Sequence, residues 1–426
     1  MGTATPITDG SSRIGLRCTT RRKPELRLVP FKSDYLRLDE VLPFGLRDAT
    51  GRLLLAAGNR ITNPDRMEEL QRQPLFAEES ESSNWYRRLA AAVDERFRRG
   101  ADLREVAQAR PDETARETAV ARPMSLPEEW SEIVSRLDAV LRDVRADSDW
   151  RPRLMAIHLR ARQLAQKRGD ASLYHLIYEA AHTTRKYSSR HALLCLTICE
   201  LAASLLQWKA EWIDSLGRAA LLMNVSMLRL QDQLANDERP LTDETRAEIQ
   251  AHAERSAGLL RDSEFADTLC VEVVRLHHDG GRAELPLAEL NPAQQLARLL
   301  RRVDVFAAQI SLRASRPPVS PVTAAREACL AAAGLPDEIG GALLRAVGLF
   351  PPGSFVELAS GEIGIVVARG RRANLPQVAA LLSHSGNLIA EPLLRDTMDR
   401  RYAAKSAVAP DRVRVIPPHE RLLALR

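Results

Sequence analysis

The stretch from Asp170 to about residue 349 constrains this chain most, because apolar residues recur there at helical spacing with hardly a break. The spacing predicts helices near residues 171–184, 188–208, 211–229, 242–261, 265–278, 292–315 and 321–349, with Asp170 as the first N-cap. Segment 188–208 is apolar almost all the way round, which marks a central helix buried on every side. Its most apolar part, His191 to Trp208, contains Glu200 and is too short and polar to span a bilayer. The expected class is therefore mainly α, a helical bundle.

The flanks follow other patterns. Residues 1–25 read as a disordered tail, and 26–77 as a small N-terminal β-rich module. Within it, Val41 to Leu46, the turn Asp48-Ala49-Thr50-Gly51 and Leu53 to Leu55 predict a β-hairpin, followed by a short helix over Asp65 to Gln71. Residues 78–170 read as a helical connector. Glu78 to Asn84 is an acidic, Ser-rich breaker, a helix is expected from Trp85 to about Gln108, and a linker near 109–127 carries Pro111, Pro123 and Pro127. Amphipathic segments follow at 128–146 and 151–167. The bundle occupies 171–352, and a β-rich tail 353–426. In the tail Phe355 to Leu358 and Ile363 to Val367 form a second hairpin, Val413 to Ile416 read as a last strand, and the chain beyond about Asn387 reads as partly ordered.

Charge and cysteine usage narrow the partners. The 426 residues carry 61 basic and 56 acidic side chains, a net charge of +5, and arginine dominates because only six of the basic residues are lysines. Those arginines alternate with Asp and Glu, so they read as a solvated surface and not as a nucleic-acid face. The five cysteines have no framework spacing, which fits a reducing cytoplasm. Cys195 and Cys199, four residues apart with no second pair nearby, read as small buried apolar residues. Met1 to Ser12 lack an apolar core, so no signal peptide is expected. The expectation is a soluble cytoplasmic protein that engages neither nucleic acid nor membrane. The amphipathic segments before residue 170 leave room for a homodimer.

Polar residues interrupt the apolar helices at a few places. His191 sits inside the most apolar helix, His252 lies mid-helix, His277-His278 close the segment Val271 to Leu276, and Asp304 breaks the stripe Leu296, Leu300, Val303, Ala307. A buried carboxylate is costly unless it is hydrogen-bonded, paired or bound to a metal. Taken singly, each histidine reads as an ordinary satisfied side chain. Taken together, four histidines and one aspartate in consecutive helices also suit a divalent metal cluster. Composition leaves both readings open.

The order of the motifs is similar to that of the HD-GYP family, the bacterial phosphodiesterases of the HD superfamily that open cyclic di-GMP. Tyr187-Ser188-Ser189-Arg190-His191-Ala192-Leu193-Leu194 resembles the helix of the family's first histidine, and Leu216-Gly217-Arg218-Ala219-Ala220-Leu221-Leu222 the run into its His-Asp dyad. Leu241-Thr242-Asp243-Glu244 followed by His252, then His277-His278, Asp304 and Arg316-Pro317 resemble its later motifs. Pro351 to Leu358 with Gly361-Glu362-Ile363-Gly364 look like its closing β tail. The resemblance covers about residues 171–370. It implies an HD-type helical bundle with His191, His252, His277, His278 and Asp304 as metal ligands and Arg316 as a ligand-binding residue.

The departures bear on activity. At the dyad stands Met223-Asn224, Tyr187 occupies a position where some members carry a metal-binding glutamate, and the loop Asp279 to Pro286 keeps glycines and a proline without the tyrosine. A thioether is a poor ligand for Fe, Mn or Mg, and a neutral amide cannot bridge two cations as a carboxylate does. The resemblance therefore implies a vestigial site with one divalent ion, Fe or Mn, or none. The expected function is a degenerate, non-catalytic signalling protein that senses cyclic di-GMP or meets a protein partner. A working phosphodiesterase would need Asn224, Asp232 or Asp279 to replace the lost ligand. A structural interaction protein is the third reading.

Overall fold

The computed structural model describes most of residues 28–96 and nearly all of 124–425, apart from short stretches such as 281–284. The expected tail over 1–25, Cys18, most of the linker and the middle of the Asp279–Pro286 loop lie outside the described residues. Two compact units divide at Pro123/Met124.

The first unit holds a four-stranded antiparallel sheet of β1 (Leu28–Phe31), β2 (Leu46–Arg47), β3 (Leu53–Leu55) and β4 (Leu75–Glu78), in the order β1-β4-β2-β3. The expected hairpin is present but shorter on its first side: β2 begins at Leu46, while Leu42 and Phe44 reach the core from irregular chain. The Asp48 carboxylate makes the turn by accepting the N–H groups of Thr50 and Arg52 at 2.8 and 3.0 Å. Helix α1 (Pro64–Gln71) starts where Asn63 accepts the Asp65 N–H at 2.8 Å. The acidic stretch after β4 is not a breaker. Glu79 and Ser82 are already helical, and Trp85 and Leu89 pack with Phe31 and Phe44. That apolar spacing outweighs the local Ser and Glu content.

The second unit is mainly α. Helix α2 (Leu126–Leu141) begins inside the expected linker, because Pro127 is tolerated in a first turn and Glu128 accepts the Ser125 N–H at 2.8 Å. Together with α3 (Trp150–Lys167) it buries Trp130, Leu137, Trp150 and Leu154 in the main core, so these helices are part of the bundle and not a connector. Helix α4 (Gly169–His182) follows, with Asp170 inside it and paired at 2.5 Å to Arg369 instead of capping. The central helix is α5 (Tyr187–Leu205), buried almost all round as its sequence required.

The helix expected over 211–229 is broken. α6 (Ala210–Leu222) stops at Met223, a 3-10 turn covers Val225–Met227, and α7 (Leu228–Asn236) resumes. The break is held from outside: Ser226 donates its hydroxyl to the His252 carbonyl at 3.0 Å, and Ser256 accepts the Ser226 N–H at 3.2 Å. Beyond lie α8 (Asp243–Asp262), α9 (Thr268–Leu276) and α10 (Pro292–Ile310), the last ending five residues before the expected 315. The helix expected over 321–349 is two, α11 (Pro321–Ala328) and α12 (Glu338–Val347). Gly334 at φ +74°, Pro336 and the Asp337 cap on the Gly340 N–H at 2.8 Å separate them.

The C-terminal region is a five-stranded antiparallel sheet, not a partly ordered tail. It comprises β5 (Phe355–Leu358), β6 (Ile363–Ala368), β7 (Gln377–Leu382), β8 (Leu388–Asp396) and β9 (Ala404–Val408), in the order β8-β7-β6-β5-β9. One face packs Phe355, Ile365 and Val367 on Tyr174 and Tyr178 of α4. The last strand is not Val413 to Ile416. Ala404–Val408 already pairs with the edge of β5, and Val413 enters the core without a strand partner among the described residues. A short helix α13 (His419–Ala424) docks through the Tyr174 hydroxyl and His419 Nδ1, 2.9 Å apart.

Candidate metal centre

Four elements of the bundle bring the polar residues together. His191 lies one turn into α5, His252 is mid-α8, His277 and His278 follow the end of α9, and Asp304 faces inward from α10. They form two adjoining clusters, His252 with His277 and His278, and His191 with Asp304 and Cys195, each within 4.8 Å. Asp304 joins the two: Oδ1 lies 2.7 Å from His191 Nε2 and Oδ2 lies 3.8 Å from His278 Nε2.

Burial sets the electrostatics. His277 is fully buried, and desolvation pushes its pKa down to about 3, with His278 adding to the effect. His252 and His278 are lowered for the same first reason. All three are neutral imidazoles at neutral pH, the form that binds metals. Burial alone would raise the Asp304 carboxyl, but the hydrogen bond from His191 and the surrounding histidines hold it below its ordinary value. It is an ionised carboxylate beside neutral rings. This donor set fits one divalent ion: three imidazole nitrogens and one anionic oxygen, with His252 and His277 each held by a backbone carbonyl.

The departures are equally visible. Met223 is 1% exposed and belongs to the apolar core, and the Asn224 side-chain oxygen is buried without a hydrogen-bond partner among the described residues. Tyr187 stacks on the His191 ring, with centroids 5.8 Å apart. Arg313 lies over that tyrosine and donates to its hydroxyl at 2.9 Å. Arg316, expected to bind a ligand, donates instead to the Ala308 and Gln309 carbonyls at 2.7 and 3.3 Å, where α10 runs out of its own donors. Asp232 pairs with Arg142 at 2.6 Å and accepts the Ser188 N–H at 2.9 Å, so it holds helices together and is not a spare ligand. Sequence reasoning passed over two residues. Cys195, whose sulfur is 3.6 Å from His191 Nε2, was detectable by its i, i+4 spacing from that histidine. Arg313 had no such signal, because only the tertiary fold brings it to Tyr187.

No protein-family model matches the sequence. A 205-residue stretch, 47% of this chain, is 26% identical to the Pseudomonas aeruginosa protein named cyclic di-GMP phosphodiesterase PA4108 and spans 49% of it. The chain thus spans about half the length of the curated relative it matches. Among solved structures, Bd1817, an HD-GYP-type protein from Bdellovibrio bacteriovorus, overlaps 74% of this chain and 98% of its own at 15% identity, with a TM-score of 0.43. The sequence match and the order of the motifs support the HD-GYP domain family for this chain. No helix among the described residues is long and apolar enough to cross a membrane.

Proposed function

We propose that this chain is a degenerate HD-GYP domain protein, a cytoplasmic signalling component that binds cyclic di-GMP over the histidine cluster without hydrolysing it. The observation that carries the reading is the carboxylate count. Among the described residues, Asp304 is the one carboxylate in either metal-capable cluster, and the dyad position offers a buried thioether and an amide. Hydrolysis of a phosphodiester by a two-metal site needs two cations a few ångströms apart, and a single carboxylate leaves most of their charge uncompensated. One ion fits, and two do not. A bound divalent ion would supply Lewis acidity toward an anionic phosphate oxygen. His252, His277, His278 and Asp304 are the residues placed to hold it, with His191 beside them. The relative in P. aeruginosa is a cyclic di-GMP phosphodiesterase by name, which supports that nucleotide as the ligand. The free thiols among the described cysteines suit a reducing compartment.

The test is cyclic di-GMP turnover by the purified chain, assayed anaerobically with Mn or Fe, with metal counted on the same sample. No product, at most one metal and a nucleotide-dependent rise in Tm are expected. Linear product release with two metals per chain would overturn the reading. An unchanged Tm would remove the nucleotide and leave presentation of the helical domain to a protein partner.

A further inference from the structure

Helix α10 carries a second face that the histidine centre does not use. Arg298, Arg302, Val305 and Gln309 recur at steps of four, three and four residues, so they share one stripe of the helix. Asp304 leaves the helix on another side, toward His191. The end of α9 and the chain that follows α9 and α11 lie against the stripe, and together they enclose an open cleft of about 420 Å³. Small-molecule sites commonly have such a volume. Leu276, Leu290 and Ala297 supply apolar wall, and Val305 and Leu330 stand at the mouth, 46% and 41% exposed. None of the five residues of the centre lines the cleft.

Three arginines enter it, and two are already engaged. Arg302 forks onto Asp337, with Nη2 donating to Oδ2 at 2.7 Å. Arg298 donates to the Leu285 carbonyl at 2.7 Å. Arg301 is half-buried, yet it has no ion pair or hydrogen bond among the described residues. Its guanidinium lies against the backbone of the turn after α9. A Cβ on Gly280 would stand 3.0 Å from its Nη1, so the missing side chain makes room for it. A guanidinium with unpaired donors can take one carboxylate through two parallel hydrogen bonds. The acids of the wall, Asp279 and Glu327, limit how much negative charge a ligand can bring. Glu327 is held in place by Gln309 Nε2, which donates to it at 2.7 Å. One anionic group can be met by Arg301, whereas a dianion would be repelled by both acids.

We propose that this cleft binds a small organic monocarboxylate, with the carboxylate on Arg301 and an apolar body against Leu290, Val305 and Leu330. The site is separate from the histidine centre and stands whether or not that centre is catalytic.

Titration calorimetry of the full chain tests it, with octanoate and phenylpropionate as probes, each beside its neutral amide. At least one acid should fill one site per chain and bind at least tenfold more tightly than its amide. Arg301→Gln removes the guanidinium, and Val305→Glu places a like charge at the mouth; each should weaken that acid at least tenfold. Neither side chain is part of the buried core, and circular dichroism of both variants checks the fold. Unchanged binding in Arg301→Gln, or no saturable binding of either acid, would overturn the proposal. So would a requirement for added Mn or displacement by cyclic di-GMP, because either result puts the carboxylate on the histidine centre.

Discussion

The side-chain oxygen of Asn224 is buried without a hydrogen-bond partner among the described residues, in the turn whose Ser226 is bonded to the backbone of His252. An amide tolerates that position, whereas a carboxylate brings a full charge into it. Asn224→Asp should therefore destabilise the metal-free chain by about 3 kcal/mol, the order expected for burying an unpaired ionised group. Added Mn should return more stability to the variant than to the wild type, since a ligand that binds only the folded state stabilises it by mass action. Urea midpoints with and without Mn measure both quantities. If the variant matches the wild type in each, residue 224 does not face the centre and the carboxylate count loses its force. Cys195 teaches a related lesson, because its burial and its place one turn from His191 were both legible, while the Asp304 that completes that cluster comes from a helix far along the chain.

At the scale of elements, the bundle's order came from periodicity and its breaks did not. Val225 and Leu228 are buried like the residues of α6, so the apolar spacing runs through the turn at Met223-Asn224 and hides it. The break between α11 and α12 was signalled by Gly334 and Pro336, yet apolar residues on both sides masked it. The sheet's attachment to α4 depends on one glycine. Gly353 has φ +86°, and a Cβ there would lie 2.4 Å from the Tyr174 carbonyl oxygen. Gly353→Ala combines left-handed strain with a backbone clash and should cost about 3 kcal/mol or more. The unfolding midpoint would report it. A change under about 0.5 kcal/mol would mean that the turn does not hold sheet to helix as described.

Across the 124–426 unit, buried histidines set a dependence on pH. Desolvation pushes His158 down to about 4, against the opposing charge of Asp214, and His175 down to about 3. His277 falls to about 3 in the metal-free chain. Each stays neutral in the folded protein while its unfolded counterpart takes up a proton below about 6.5, so the unfolded state binds more protons there. The stability from keeping these rings neutral is present above pH 6.5 and is lost as pH falls toward 4. The slope should be about 1.4 kcal/mol per pH unit for each such histidine. Thermal unfolding of the metal-free chain between pH 7 and 4 should show a steep fall in Tm. A flat profile would mean that these rings are solvated or paired.

The sequence by itself determined the helical class of residues 124–350, the buried character of α5, the two hairpin turns and the order in which histidines and Asp304 enter the bundle. Each of these is written in local spacing, at 3.6 residues for helices, at 2 for strands and in Gly, Pro and Asp at turns. Only the tertiary structure decided that His252, His277 and His278 gather beside His191 and Asp304, that Arg316 bonds a helix end, and that Arg313 meets Tyr187. It also decided that the last strand is Ala404–Val408 and that helices α2 and α3 share the main core. Hydrogen bonds and burial between residues far apart in the chain have no period to read, and the chemistry of the centre depends on them.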